Sequence, residues 1–225
     1  MTRWSSVCAV FGGTFNPPHI GHRIAVEGLF KHPGVGRVRI IPAANPPGKT
    51  PLVQTEDRVK MTELCFEGLP VTIDLREIVR AEKSLSPSYT IDTLLELRPE
   101  ESHLAFVMGT DQFAQFDKWH RFSEIVGLAH WIVLKRKGIT NQVIDNALQK
   151  FKHLGILERG PESQSFRLKN TDKLLYLVET DAPELSSTAI REQIALKGEP
   201  PEGVLHPKVS AYLNERGLYG SQKNR

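Results

Sequence analysis

At 225 residues the chain can build one good hydrophobic core but not two comfortable ones. Its 40% hydrophobic and 24% charged residues are ordinary for a globular protein, and no apolar run is long enough to span a membrane. A formal net charge of +3 suits phosphate-bearing ligands but is too weak to argue for nucleic acid.

The mostly polar residues Met1 to Ser6 lead straight into a strand-like run, Val7–Phe11, so no secretory leader is expected. Similar runs follow at Val38–Ile41, Val71–Ile73, Leu104–Met108, Trp131–Leu134 and Leu174–Val178. They are rich in Val, Ile, Leu and aromatics and do not alternate strictly, which predicts strands covered on both faces. Between them lie helical patterns. His22–Phe30 follows the first strand. The stretch from Glu56 to Leu69 places Met61, Leu64, Cys65 and Leu69 on one face, with Thr55 as its N-cap. Thr90–Leu97 precedes the fourth strand, and near the end Pro207 and Gly217 mark a helix start and stop.

Strand alternating with helix predicts an α/β, Rossmann-like fold: a mostly parallel sheet with helices on both faces. Residues 1–219 read as a single domain, 141–173 as a peripheral insertion or hairpin, and 220–225 as a disordered tail. The basic cluster Lys135-Arg136-Lys137 reads as a solvated strand end. Cys8 and Cys65 sit inside apolar patterns, as buried free thiols do in a reducing compartment such as a cytoplasm.

Ligands of such sheets collect at the carboxyl ends of the strands. Strand one ends in Gly12-Gly13-Thr14-Phe15-Asn16-Pro17-Pro18-His19-Ile20-Gly21-His22, where a helix begins. Two glycines let a phosphate approach the backbone, and the helix N-terminus adds partial positive charge. The third glycine of a dinucleotide fingerprint is missing, and no Gly-Lys-Ser/Thr follows as in a Walker A loop. His19 and His22, at i and i+3, can both face a triphosphate and donate hydrogen bonds as charge moves. A zinc pair would need further ligands, and neither cysteine has metal-like spacing. Late in the chain, Leu185-Ser186-Ser187-Thr188-Ala189-Ile190-Arg191 opens another helix. On its own it is an ordinary capped helix. Combined with the first motif it reads as a phosphate clamp, with Arg191 suited to fork onto two oxygens.

Gly12 to His22 resembles the G-G-T-F-[DN]-P-x-H-x-G-H signature of the nucleotidyltransferase superfamily, and Leu185 to Arg191 its I-S-S-T-x-I-R element. His19-Ile20-Gly21-His22 also spells the HIGH motif of class I aminoacyl-tRNA synthetases, but no K-M-S-K-S match follows. Three more segments resemble the bacterial nicotinate-nucleotide adenylyltransferases. Ile41 to Lys49 looks like I-P-x-x-x-P-P-H-K, and Ser88 to Leu94 looks like S-Y-T-x-x-T-L. Phe106 to Asp111, with Phe116 and Trp119, looks like the family's strand-G-x-D with its aromatic pair. The likeness runs from about Val7 to about Tyr219, in the family's order.

The resemblance implies an adenylyltransferase that condenses ATP with nicotinate mononucleotide, giving deamido-NAD and pyrophosphate. His19, His22 and Arg191 would be catalytic. Gly12, Gly13, Thr14, Phe15, Gly21, Gly109, Asp111, Ser187 and Thr188 would bind ATP. Asn45, Lys49, Thr90, Ile91, Trp119 and His120 would bind the mononucleotide, Trp119 by stacking on the pyridine ring and the backbone near Ile91 and His120 by reading its carboxylate. On residue type alone Trp119 is equally a core aromatic, and Lys49 a solvated loop lysine. Mg2+ is expected to come with ATP, bound through phosphates and water, with no protein ligand. Neither nucleic acid nor membrane is expected as a partner, and oligomeric state stays open. Asn16 stands where aspartate is common, Gly48 where histidine is usual, and His120 where tyrosine is frequent. The alternatives are another acceptor within the superfamily (nicotinamide mononucleotide, pantetheine phosphate or glycerol phosphate) or a non-catalytic nucleotide sensor.

Overall fold

The structure, a computed structural model, describes residues 6–32, 34–46, 52–84, 87–136 and 142–221. It begins β1 (Val7–Gly13), α1 (Ile20–Phe30), β2 (Val35–Pro42), α2 (Thr55–Phe66), β3 (Val71–Ile73), α3 (Arg76–Lys83) and α4 (Thr90–Leu97). β4 (Leu104–Gly109), α5 (Thr110–Ala114), α6 (Phe122–Ile125), β5 (His130–Arg136) and α7 (Gln142–His153) follow. The chain closes with β6 (Leu157–Arg159), β7 (Ser165–Leu168), β8 (Leu174–Thr180), α8 (Ser187–Lys197) and α9 (Pro207–Arg216).

The strands form an eight-stranded sheet in the order β3-β2-β1-β4-β5-β8-β7-β6. β1, β4, β5 and β8 pair in parallel, with Val10 opposite Phe106, Phe106 opposite Trp131 and Ile132 opposite Tyr176. The order reverses between β1 and β4, whose carboxyl ends carry Gly12 and Gly109. A reversal of that kind is where doubly wound sheets take their ligands. Every predicted strand lies inside an observed one, and the mostly parallel Rossmann-like sheet is as expected.

The stretch 141–173 holds more than a hairpin. β6 and β7 do form one, pairing antiparallel and extending the sheet through β8, but α7 precedes them. Ile144, Ala147, Leu148 and Phe151 are the buried face of α7, an i, i+3, i+4, i+7 pattern that the sequence carries. Residue 141 lies outside the described residues.

Three local expectations need correction. Thr55 is the first residue of α2 rather than its N-cap, which is Gln54. The buried face of α2 carries Arg58, Met61, Thr62, Cys65 and Phe66, while Leu64 is half-buried and Leu69 lies beyond the helix. The tail does not begin at residue 220. Gly220 closes a short 3-10 turn, and Ser221 is buried with its hydroxyl donating to the Leu213 carbonyl at 3.0 Å. Residues 222–225 lie outside the described residues.

The chain divides into two compact units. The first comprises Met1–Gly12, Gly28–Arg39 and Tyr89–Asp181. Its core is aromatic: Phe116 lies 4.5 Å from Trp131 between ring centroids, and Phe113 lies 5.1 Å from Phe151. Buried Glu101 is neutralised by Arg37 at 2.6 Å and Arg39 at 2.9 Å. Lys135, the described side chain of the basic cluster, pairs with Glu179 at 2.9 Å; the Arg136 side chain and Lys137 lie outside the described residues.

His130, at the start of β5, is 7% exposed and its Nδ1 accepts the Leu174 N–H at 3.1 Å. Burial lowers its pKa to about 4, with Lys173 and His103 adding repulsion and Asp172 opposing. Its folded pKa lies below its unfolded one, so the unfolded chain binds the extra proton first, and stability falls as pH drops from about 6.5 towards 4. Between pH 7 and 5 this imidazole alone should cost about 2 kcal/mol. Urea melts of His130→Asn, which keeps an acceptor without a titration, should lose about that much less than the parent over the same interval.

The second unit comprises Gly13–Glu27, Ile40–Ser88 and Ala182–Arg225. Here α2 and α9 are joined by buried Asp57, which accepts from Tyr212 Oη at 2.7 Å and Arg216 Nε at 3.2 Å. Arg23 of α1 donates to the carbonyls of Cys65 (2.8 Å) and Glu67 (2.9 Å), satisfying backbone acceptors that the end of α2 leaves open. Pro207 opens α9 and Gly217 caps it at φ 62°, both as predicted. Cys8 and Cys65 are buried free thiols, with burial pushing their pKa values up to about 11 and about 12. Among the described residues no helix is long and apolar enough to cross a membrane.

Candidate active site

The turn after β1 is shaped by close packing. Phe15 takes a left-handed backbone, φ 48°, and tucks its ring, 2% exposed, under Gly13. A Cβ on Gly13 would stand 2.9 Å from that ring. The ring meets His22 edge to face at 5.3 Å and Phe66 at 5.8 Å. Gly21, between the two histidines, is closely packed as well: a Cβ there would lie 3.1 Å from His19 Nδ1 and 3.3 Å from the Pro183 carbonyl, so the stacked ring would have to give way by a few tenths of an ångström.

His19 precedes the first residue of α1, and its carbonyl accepts the N–H groups of His22 (2.9 Å) and Arg23 (3.4 Å). His22 returns the bond, its Nδ1 accepting the His19 N–H at 3.1 Å. The third helical residue thus caps the residue before the helix, with imidazole in the place of the usual glutamate. The arrangement assigns a tautomer. With Nδ1 an acceptor, a neutral His22 carries its proton on Nε2. Burial and the neighbouring His19 hold His22 well below the usual imidazole range, and burial lowers His19 to about 4. The two rings stack with centroids 3.6 Å apart. At neutral pH the pair is therefore two uncharged rings, able to donate hydrogen bonds but not spare protons. His19 Nδ1 is buried without a hydrogen-bond partner among the described residues.

α8 brings the second motif to this turn. Ser186 is its N-cap, accepting from the Ala189 N–H at 3.5 Å. Ser187 Oγ donates to the Pro17 carbonyl at 2.8 Å, and Arg191 Nη1 to the Asn16 carbonyl at 2.7 Å. Arg191 Nη2 also reaches Thr188 Oγ1, one helical turn back, at 3.2 Å. Ser187, Thr188 and Arg191 thus stand beside the histidine turn, as the combined motifs predict. Asn16 is buried beneath them and its Oδ1 accepts from Tyr219 Oη at 2.6 Å, a bond that an amide serves as well as the commoner carboxylate. On the other side, the Ala43 N–H donates to the Gly13 carbonyl at 2.8 Å. Asn45 exchanges two bonds with Ser88, its N–H to Ser88 Oγ at 3.1 Å and its carbonyl from the Ser88 N–H at 2.8 Å. Gly48 and Lys49 lie outside the described residues.

The remaining predicted residues belong to the first unit. Gly109 ends β4, and a Cβ there would meet open space. Asp111 is exposed in the first turn of α5. Thr90 opens α4, with Ile91 buried behind it. Trp119 is half-buried, its ring edge-on to Phe106 at 5.7 Å and Phe116 at 5.3 Å. It is core wall and partly open surface at once. His120 stacks on Tyr89 at 4.2 Å, bringing the Ser88–Leu94 segment against the aromatic one. A polar cavity of about 170 Å³ in this unit, lined by residues including His103, His130 and Lys173, lies at the amino ends of β4 and β5 and holds none of the predicted residues.

Two residues of the second unit escape motif reading: Tyr219, and Arg58, whose guanidinium bonds the Thr14 and Ala43 carbonyls. The signal for Arg58 is its register, a charged residue on the apolar stripe with Met61 and Cys65. Among the described residues no trio of His, Cys, Asp or Glu is placed to hold a metal.

Comparison with known proteins gives a consistent picture. The family described as "Cytidylyltransferase-like" matches residues 10–193. A probable nicotinate-nucleotide adenylyltransferase of Pectobacterium atrosepticum is 35% identical over 219 residues, covering 95% of this chain and 99% of its own length. One from Escherichia coli O139:H28 is 37% identical with the same coverage. Among solved structures, the nicotinic acid mononucleotide adenylyltransferase of Plasmodium falciparum complexed with NaAD shares the fold, with a TM-score of 0.61 at 16% identity, over 97% of this chain and 100% of its own.

Proposed function

Since the chain belongs to the nicotinate-nucleotide adenylyltransferases of the cytidylyltransferase-like family, we propose that it joins nicotinate mononucleotide to ATP, forming deamido-NAD and pyrophosphate. The observation that carries the reading is the meeting of the two phosphate motifs, with Arg191 at 2.7 Å from the Asn16 carbonyl and Ser187 at 2.8 Å from that of Pro17.

The reaction needs no protein nucleophile. An oxygen of the mononucleotide phosphate, a dianion above its second pKa of about 6, attacks the α-phosphorus of ATP. The bond to the β-phosphate oxygen breaks, and pyrophosphate leaves with the electron pair. The enzyme aligns the two groups and stabilises charge on the leaving group. Thr14 and the backbone of Gly12–Phe15 hold the reacting phosphoryl group. His19 and His22 donate to the ATP phosphates as neutral rings, and Gly21 leaves room for their stack. Ser187 and Arg191 exchange their carbonyl partners for the β- and γ-phosphates, and the Thr188 hydroxyl joins them. Gly109 and Asp111 take the nucleoside of ATP. Asn45, Lys49, Thr90, Ile91, Trp119 and His120 take the mononucleotide. The cluster offers cations and N–H donors rather than carboxylates, so Mg2+ belongs to the substrate as MgATP, screening charge on the pyrophosphate. In this reading residues 1–219 act as one nucleotidyltransferase domain working in the cytoplasm.

The test is pyrophosphate release from ATP and Mg2+ with either nicotinate or nicotinamide mononucleotide. A rate at least about tenfold higher with the nicotinate substrate is expected, since a site built around a carboxylate leaves donors unpaired against the amide. Equal rates would remove the acceptor selectivity, and no release with either would overturn the reading.

A further inference from the structure

We propose that Arg58 is a positioning residue for this transfer, its buried guanidinium tying the Thr14 turn to the turn after β2 so that the phosphate cradle is set before substrate arrives. The ligand's identity rests on the adenylyltransferase reading; the geometry does not.

Arg58 is 1% exposed. A buried cation is costly unless its hydrogen bonds are met, and among the described residues no carboxylate lies within ion-pair distance of this one. Its partners are three backbone carbonyls and one hydroxyl instead, while its Nε is buried without a partner among the described residues. Nη1 donates to the carbonyls of Thr14 (3.0 Å) and Ala43 (2.6 Å); Nη2 donates to the Ala44 carbonyl (3.3 Å) and Thr55 Oγ1 (3.2 Å). One planar group thereby spans two turns that lie far apart in sequence. Burial lowers its pKa, with Tyr219 and Glu56 opposing.

The consequences reach both substrates. With the Thr14 carbonyl held towards Arg58, the planar trans peptide directs the Phe15 N–H the opposite way. Phe15, at φ 48°, packs its ring against His22 at 5.3 Å, so a shift of Thr14 is passed to the catalytic imidazole. On the other turn, holding the Ala43 and Ala44 carbonyls sets the backbone that enters Asn45, whose N–H is bound to Ser88. Arg58 touches no reacting atom in this scheme. It acts through Thr14, Phe15 and Asn45.

Arg58→Lys keeps the charge and loses the fork, since an ammonium cannot reach three carbonyls in one plane. We expect its Kd for MgATP, by titration calorimetry, to rise about tenfold and kcat/KM to fall about 100-fold. A residue that only stabilised the fold would lower the melting temperature and the active fraction without moving the Kd of the folded protein. Thr55→Val removes one acceptor of the guanidinium without touching charge, and should raise the Kd about threefold. Turnover of the parent protein with nicotinate mononucleotide tests the function, whereas MgATP affinity tests Arg58 whatever the acceptor. A folded Arg58→Lys protein that binds MgATP within about twofold of the parent overturns the proposal. If that variant does not fold, an unchanged Kd in Thr55→Val does the same.

Discussion

Replacing His22 with alanine is expected to lower kcat about 10³-fold while the KM for ATP changes by less than about tenfold. The asymmetry follows from what the ring does. Its Nδ1 accepts the His19 N–H at 3.1 Å, so in the proposed mechanism Nε2–H is the donor to the transferring phosphates. A bond that strengthens as charge develops lowers the barrier more than it tightens the ground state. Alanine also removes the cap and the stacked neighbour of His19, whose ring lies 3.6 Å away. A second variant separates these effects. In His22→Asn, a side-chain oxygen can still accept from the His19 N–H, but nothing reaches where Nε2–H stood. If kcat is low in both variants, donation is the role. If asparagine restores it, His22 is a helix cap and the assignment fails.

Arg191→Ala should lower kcat/KM with MgATP by about 10³-fold, and Arg191→Lys should recover only part of it. In the structure the guanidinium is held on the Asn16 carbonyl at 2.7 Å and Thr188 Oγ1 at 3.2 Å. Those two contacts aim a planar donor at the same turn that carries the histidines. A polyphosphate oxygen is a stronger acceptor than a neutral carbonyl, so the group is poised to switch partners. Lysine supplies a point charge but no fork. The discriminating measurement is product inhibition by pyrophosphate. As a clamp on the leaving group, Arg191 should bind pyrophosphate, and its loss should raise the inhibition constant in parallel with the fall in kcat/KM. An unchanged inhibition constant would make Arg191 a brace for the Asn16–Pro17 backbone and nothing more.

Much of this site is readable from single stretches of chain. The run Val7–Phe11 announces a buried strand, the glycines after it a phosphate-accessible turn, and histidines three apart a shared helical face. Thr90–Leu97 is a helix with the bounds its pattern predicts. What was less legible has identifiable causes. β6 has only three residues, two of them exposed, and an edge strand of that kind has no periodicity to detect. Thr55 has the residue type of an N-cap, yet its hydroxyl accepts from Arg58, a contact that depends on where α2 lies against the Thr14 turn. Arg58 itself sits on an apolar stripe, where a charge looks like an error until its backbone partners are known.

The sequence by itself determined the local chemistry: which turns can approach a phosphate, which helix starts offer donors, and which side chains share a face. Those properties follow from residue type and from helical or strand spacing, and both act within a few residues. Only the tertiary structure decided the pairings. That Arg191 meets the carbonyl of Asn16, that Arg58 joins Thr14 to Ala43, and that Tyr219 serves Asn16 all depend on groups between 15 and 203 positions apart. The same packing decides the protonation of the histidines. An imidazole is neutral or charged according to what surrounds it, and at His19 and His22 the surroundings are a folded core that no short stretch of chain contains.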